Sequence, residues 1–126
     1  MSRAHRAPLA LAALLGTAGV LHFAKPAFFD PLVPEQLPGG PRFWTHLSGA
    51  AELAVAAAVA VPATRRTGGL AAAALFTAVF PGNLKMAHDW RTRSAAERAV
   101  AYGRLPLQVP LVVWALKVRR SAGGSR

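Results

Sequence analysis

The sequence predicts an all-α protein: a four-helix transmembrane bundle with a proline-rich outer loop and a short interfacial helix. Three observations carry that prediction. Of 126 residues, 53% are hydrophobic and only 16% charged, whereas a soluble domain of this size would spread more charge along the whole chain. The apolar residues gather in four long runs, and a helix needs about 20 mostly apolar residues to cross a bilayer, with a range of about 17–25. The bases gather at the ends of those runs, where an anionic membrane surface is their natural partner. The net charge of +10 is therefore read as membrane contact, and nucleic acid is not expected.

The first run, "APLALAALLGTAGVLHFA" (Ala7–Ala24), is long enough to span. Arg3 and Arg6 ahead of it, with "GTAG" inside it, also fit a signal peptide cut after Ala18. The charge distribution argues for a retained span. With four alternating spans, Arg3, Arg6, Arg65, Arg66, Lys117, Arg119, Arg120 and Arg126 share one side that holds no acid, while Asp30, Glu35, Asp89 and Glu97 lie on the other. The positive-inside rule then makes both termini cytoplasmic.

The connection "KPAFFDPLVPEQLPGGPR" has five prolines and two glycines. It cannot form a regular helix, yet Phe28, Phe29, Leu32, Val33 and Leu37 are too apolar for a free linker. It reads as an ordered cap over the mouth of the bundle. The second run is Phe43–Pro62 and the third is Gly68–His88, which Pro81 breaks by removing a ladder hydrogen bond and freeing the Thr77 carbonyl. "SAAE" (Ser94–Glu97) has capping-box spacing, so a short interfacial helix to Tyr102, stopped by Gly103, is expected. The fourth run, Gly103–Val118, carries Pro106 and Pro110. Trp44, Trp90, Tyr102 and Trp114 fall near span ends, as interfacial aromatics do. The whole chain, 1–126, reads as one integral membrane domain.

Glu52 is the anomaly. At 100° per residue, Thr45, Ser48, Gly49, Glu52 and Ala56 share one small, polar stripe, which must face a helix rather than lipid. A central acid costs about 2.5–3.5 kcal/mol of insertion, and the large apolar residues of this run return roughly 2–3.5 kcal/mol. The helix therefore depends on its neighbours. Polar partners converge on the outer half: His22 at the end of run one, Asn83, Lys85 and His88 after the Pro81 break, and Arg104 with Gln108 one turn apart on run four. Together with Ser48 and Glu52 they define an expected outward-facing polar pocket, with Arg104 or Lys85 as the counter-ion of Glu52. The competing reading makes Glu52 a packing device and lets Lys85 snorkel outward. His46 is off the stripe and His5 lies in the tail.

The chain has no cysteine, which excludes disulfides and thiolate chemistry of its own. His22, His46 and His88 lack the helical spacing of a metal pair, so neither metal nor haem is expected. No nucleophilic triad or phosphate loop is visible. With 12 Arg against 3 Lys and abundant Ala, the composition fits a high-GC bacterial genome and an inner-membrane location.

Four motifs, "GVLHFAKPAFFDPLVPEQLP" (Gly19–Pro38), "SGAAELAVA" (Ser48–Ala56), "AVFPGNLKMA" (Ala78–Ala87) and "RLPLQVPLVVWAL" (Arg104–Leu116), resemble the DoxX-like family of small bacterial membrane proteins in order and spacing. Gly82 departs from that family's "FPAN" form, which has Ala there. The resemblance implies a four-helix membrane bundle linked to sulfur and thiol oxidation, the membrane component of a redox or thiol-stress system, with relatives that serve a thiosulfate:quinone oxidoreductase. It draws attention to His22, Ser48, Glu52, Asn83, Arg104 and Gln108. The expectation is a pocket for a quinone or another small molecule, no intrinsic cofactor or catalytic motif, and a redox-enzyme partner protein. Two other classes stay open: a small dimeric proton-coupled transporter, which would make the chain a homodimer, and a structural anchor whose partner docks on Asp89–Arg98.

Overall fold

The computed structural model describes residues 3–124, with side chains from Arg6 to Ala122; Arg126 lies outside the described residues, as do the side chains of Arg3 and His5. The described chain is all-helical. Its elements are α1 (Arg3–Ala24), a one-turn α2 (Pro26–Phe29) followed by a 3-10 turn (Asp30–Leu32), α3 (Pro41–Ala60), a second 3-10 turn (Pro62–Thr64), α4 (Arg65–Ala78), α5 (Phe80–Asp89) and α6 (Ala95–Gly124). Taking α4 and α5 as one broken rod, four segments are long and apolar enough to cross a membrane: Arg6–Ala24, Pro41–Ala60, Pro62–Asp89 and Ala95–Ala122.

Local chemistry places most boundaries. Gly39 and Gly40 have φ of +92° and +83°, the left-handed region that costs glycine nothing, and Pro41 then starts α3 at a position where a missing N–H is harmless. Pro62 forces Val61 into an extended conformation with ψ 121°, which ends α3. Pro81 parts α4 from α5 at Val79.

The fourth span differs from expectation. Ser94 does cap it, accepting from the Glu97 N–H at 3.2 Å while its hydroxyl donates to Glu97 Oε1 at 3.0 Å. Yet α6 runs on unbroken through Gly103, Pro106 and Pro110. Gly103 lacks the positive φ of a helix-ending glycine, so no separate helix stops at Tyr102. The two carbonyls that the prolines leave without helical donors are tolerable where neighbours pack closely.

Consecutive spans run antiparallel, as the glycine contacts show. Gly16 faces Ala56 whereas Gly49 lies against His22 and Gly19; Gly68 lies against Ala58 and Val59, and Gly69 against Ala115 and Arg119. Small residues let backbones approach, the usual basis of helix association where lipid removes the hydrophobic driving force. The bundle is two helix pairs, α1 with α3 and α4–α5 with α6. They close on each other at one end, around Leu11, Leu15, Val59, Phe76, Ala115 and Val118, and there the Trp114 indole donates to the Ala7 carbonyl at 3.1 Å. Many large apolar side chains point outward, Val20 and Val109 being 55% and 66% exposed, as suits lipid contact. At the other end the pairs part, and the chain from Lys25 to Gly40 crosses the gap.

Candidate functional site

The parted end encloses a cavity of about 640 Å³, lined by α1, α3, the α4–α5 break, Arg104 of α6 and the crossing segment. Its size is within the ~300–1,000 Å³ of ordinary ligand pockets. Most of the wall is apolar, with His22, Thr45, Ser48, Glu52, Asn83 and Arg104 as its polar members.

Glu52 enters this cavity because the small stripe of α3 turns inward: Thr45, Gly49, Glu52, Ala56 and Val59 are its buried residues. The Glu52 side chain is about nine-tenths buried. Its Oε1 lies 3.6 Å from His22 Nε2, while Oε2 has no hydrogen-bond partner. His22 Nδ1 is 2.6 Å from the Ala18 carbonyl. A carbonyl only accepts, so Nδ1 carries a hydrogen and Nε2 is the end that faces the acid. At their 3.6 Å separation the two groups face each other without a hydrogen bond. Phe29 stacks on the other side of the imidazole at 3.8 Å, fixing the ring plane.

Arg104 borders the same cavity without pairing to Glu52. Among the described residues its one hydrogen bond goes to Met86 Sδ at 3.4 Å, a weak acceptor for a group with five N–H donors. The expected pairing of Glu52 with Arg104 or Lys85 is thus not formed, and the group that faces the acid is His22. Gln108 sits one turn below Arg104 but does not line the cavity; its Nε2 is buried without a partner.

Lys85 and His88 fall outside. Lys85 Nζ donates to the Pro31 carbonyl at 2.6 Å and to Asp89 at 2.8 Å, and His88 is exposed. Both border a second, shallower depression with Glu35 and Gln36 on the far side of the crossing segment. Helix phase explains it: Lys85 and His88 lie about 200° and 140° round α5 from inward-facing Asn83. His46 stacks on Phe23 at 5.0 Å.

The residues that hold the crossing segment were not legible as site residues. Asp30 takes both Arg42 Nε at 3.0 Å and Nη2 at 2.9 Å, and the Thr45 hydroxyl at 2.7 Å. The Arg42 hydrogen bond holds the Asp30 carboxyl below its ordinary value, with Thr45 helping and partial burial opposing. The Trp44 indole donates to the Pro38 carbonyl at 2.6 Å. A Cβ on Gly82 would stand 3.0 Å from the Leu32 carbonyl, so glycine there lets the segment lie directly on the helix break. Two signals could have pointed here: opposite charges at Asp30 and Arg42, which bracket the prolines, and Thr45 on the Glu52 stripe.

Among the described residues no cluster of His, Asp or Glu could hold a metal ion. No curated protein matches the chain, and no solved structure does. Residues 11–119 match DUF8561, a domain of unknown function. That match takes in the second and third apolar segments, most of the first and fourth, and the crossing loop between the first two, and on it the chain belongs to the DUF8561 family.

Proposed function

We propose that this is a bacterial inner-membrane protein that binds a small amphipathic molecule in the cavity around Glu52 and serves as the membrane component of a redox or thiol-stress system. The observation that carries the binding reading is the unspent polar capacity of the cavity: Glu52 Oε2 has no partner, and Arg104 has only a thioether. An unmade buried hydrogen bond costs roughly 1–3 kcal/mol, and a bound oxygen-bearing head, such as that of a quinone, recovers it. The redox role rests on the DoxX-like motifs alone. The proline-rich segment is read as an outer cap, with the first turns of α6 at the interface beside it. Arg65, Arg66, Lys117, Arg119 and Arg120 gather at the closed end, away from Asp30, Glu35, Asp89 and Glu97, which supports cytoplasmic termini.

Native mass spectrometry of purified protein in mild detergent, wild type beside Glu52→Gln, tests the binding reading. A bound small molecule in the wild type that is lost in the variant is expected. Identical lipid adducts and nothing else on both would make Glu52 a packing device. The buried His22–Glu52 pair favours one second reading, a proton-coupled transporter. Proteoliposomes would then move protons with substrate, and Glu52→Gln would uncouple them.

A further inference from the structure

The cavity reaches the protein surface at the side as well as beneath the crossing segment, its lining residues Leu37, Pro81, Leu47 and Ala78 being exposed. Across the outer end, the crossing segment is held by Asp30 to α3 and by Lys85 to α5. Among the described residues, the side-chain hydrogen bonds between α3 and α4 run from Arg65 to Val59 and Ala60 at the closed end, away from the cavity. Leu47 and Ala78, which line the cavity from those two helices, are both exposed at the surface. In a bundle that spans a bilayer, this opening meets acyl chains.

The charged groups around the cavity are mostly engaged. Glu52 faces His22. Asp30 is paired with Arg42, and Lys85 with Asp89. Arg104 remains, with one positive charge and nearly all its donors unspent. A single oxyanion is the complement of a guanidinium, which binds carboxylate or phosphate oxygens through two parallel hydrogen bonds. The orphan Glu52 Oε2 stands ready for a hydroxyl or protonated oxygen on the same head.

We infer that the pocket takes a single-chain amphiphile with a singly charged oxyanion head, loaded from the bilayer, its head on Arg104 and its chain leaving between Leu47 and Ala78. This rests on the binding function proposed above and narrows it to one ligand class. The two sources of such a head, a free fatty carboxylate and a lysophospholipid phosphate, share the recognition chemistry.

Trp44 lines the cavity and gives a direct readout. Full-length protein in nanodiscs is titrated with nitroxide-labelled stearate, and quenching that disappears in Trp44→Phe is assigned to the pocket. Oleate or lysophosphatidylglycerol, whose phosphodiester carries one charge, is expected to displace the label, whichever does so better naming the source, while butyrate, with the head of oleate and no chain, does not. Arg104→Gln is expected to weaken binding by about tenfold or more, the value of a charge-assisted hydrogen bond, with Arg104→Lys, which keeps the charge but lacks the planar fork, falling between. Ala78→Phe should slow association, and Ala74→Phe, one turn away on the same helix and outside the lining, should not.

Unchanged binding in Arg104→Gln overturns the inference, as does displacement by butyrate as strong as by oleate. Displacement by neutral decylubiquinone but not by oleate overturns the oxyanion head while leaving the pocket's binding function standing. If no probe quenches Trp44 and the native spectra show no adduct, both readings fail. Should Arg104→Gln not fold, the wild-type competition between oleate, butyrate and decylubiquinone decides alone.

Discussion

Gly49 is where α1 and α3 come closest, and Gly49→Ala measures what that approach is worth. A Cβ there would stand 2.6 Å from His22 Cβ, 2.9 Å from Phe23 Cε2 and 3.1 Å from the Gly19 carbonyl. His22 Cβ cannot swing away, because it is fixed to the backbone of α1. Ordinary contact begins at 3.4 Å, so the helices must separate locally by about 0.8 Å, the difference between that distance and 2.6 Å. A gap of that size forfeits a quarter to a half of each van der Waals contact across the seam, and in lipid such contacts are the main force between helices. Overpacking costs typically 1–3 kcal/mol, against which alanine gains about 0.8–1 kcal/mol of helix propensity over glycine. Gly16 on the same seam is the control, since its added Cβ would meet Ala56 at a comfortable 3.9 Å. Both variants gain the same propensity, so their difference isolates the clash. Thermal unfolding in one detergent should place Gly49→Ala below Gly16→Ala by roughly 5–10 °C. Ligand binding should fall with it, because His22 is pushed away from Glu52. Equal melting temperatures, or the reverse order, would refute the claim that backbone proximity at Gly49 holds this pair together.

The crossing segment should loosen with acid. The Asp30 carboxyl is held low chiefly by Arg42, so its folded value lies below the unfolded one, near about 4. Its contribution is complete above the unfolded value and is lost as pH falls through the folded one; Asp30→Asn should reproduce the loss at neutral pH. Iodide quenching of Trp44, or amide exchange over residues 26–40, would report the opening, and a segment equally protected in the variant would remove Asp30 as its latch. At the closed end, buried Arg65 donates to the carbonyls of Val59 and Ala60 at 2.8 Å and 2.9 Å, groups that α3 leaves open at its C-terminus. Arg65→Ala should cost about 1.5–3 kcal/mol by chemical or thermal unfolding, and Arg65→Lys, lacking the planar fork, should fall between. Wild-type stability in the alanine variant would show that the α3 terminus needs no cap.

The four spans were legible because hydrophobic length and helical period are local properties. Glu52 was legible because its insertion cost makes no sense in lipid, and the Thr45–Ala56 stripe because a period of 3.6 needs no partner to be read. His22, Ser48, Asn83 and Arg104 followed from antiparallel order, which brings the ends of consecutive spans together. Lys85 and His88 were misplaced because proximity along the chain to Asn83 says less than phase about α5. The stop at Gly103 was misjudged for a related reason: glycine ends a helix only where the chain turns left-handed, and α6 continues because it packs against α4 and α5.

Composition and periodicity alone therefore determine that the chain is helical, that four segments can cross a membrane, that it brings no thiol chemistry, and that an acid must be shielded within the second span. Only the tertiary structure decides that acid's company. It selects His22 rather than Arg104 because Gly19 and Gly49 draw α1 onto α3, and it leaves Arg104 unspent because the two helix pairs part where Pro81 breaks the third rod. Contacts between helices depend on which small residues meet across a seam, and no single segment contains that information.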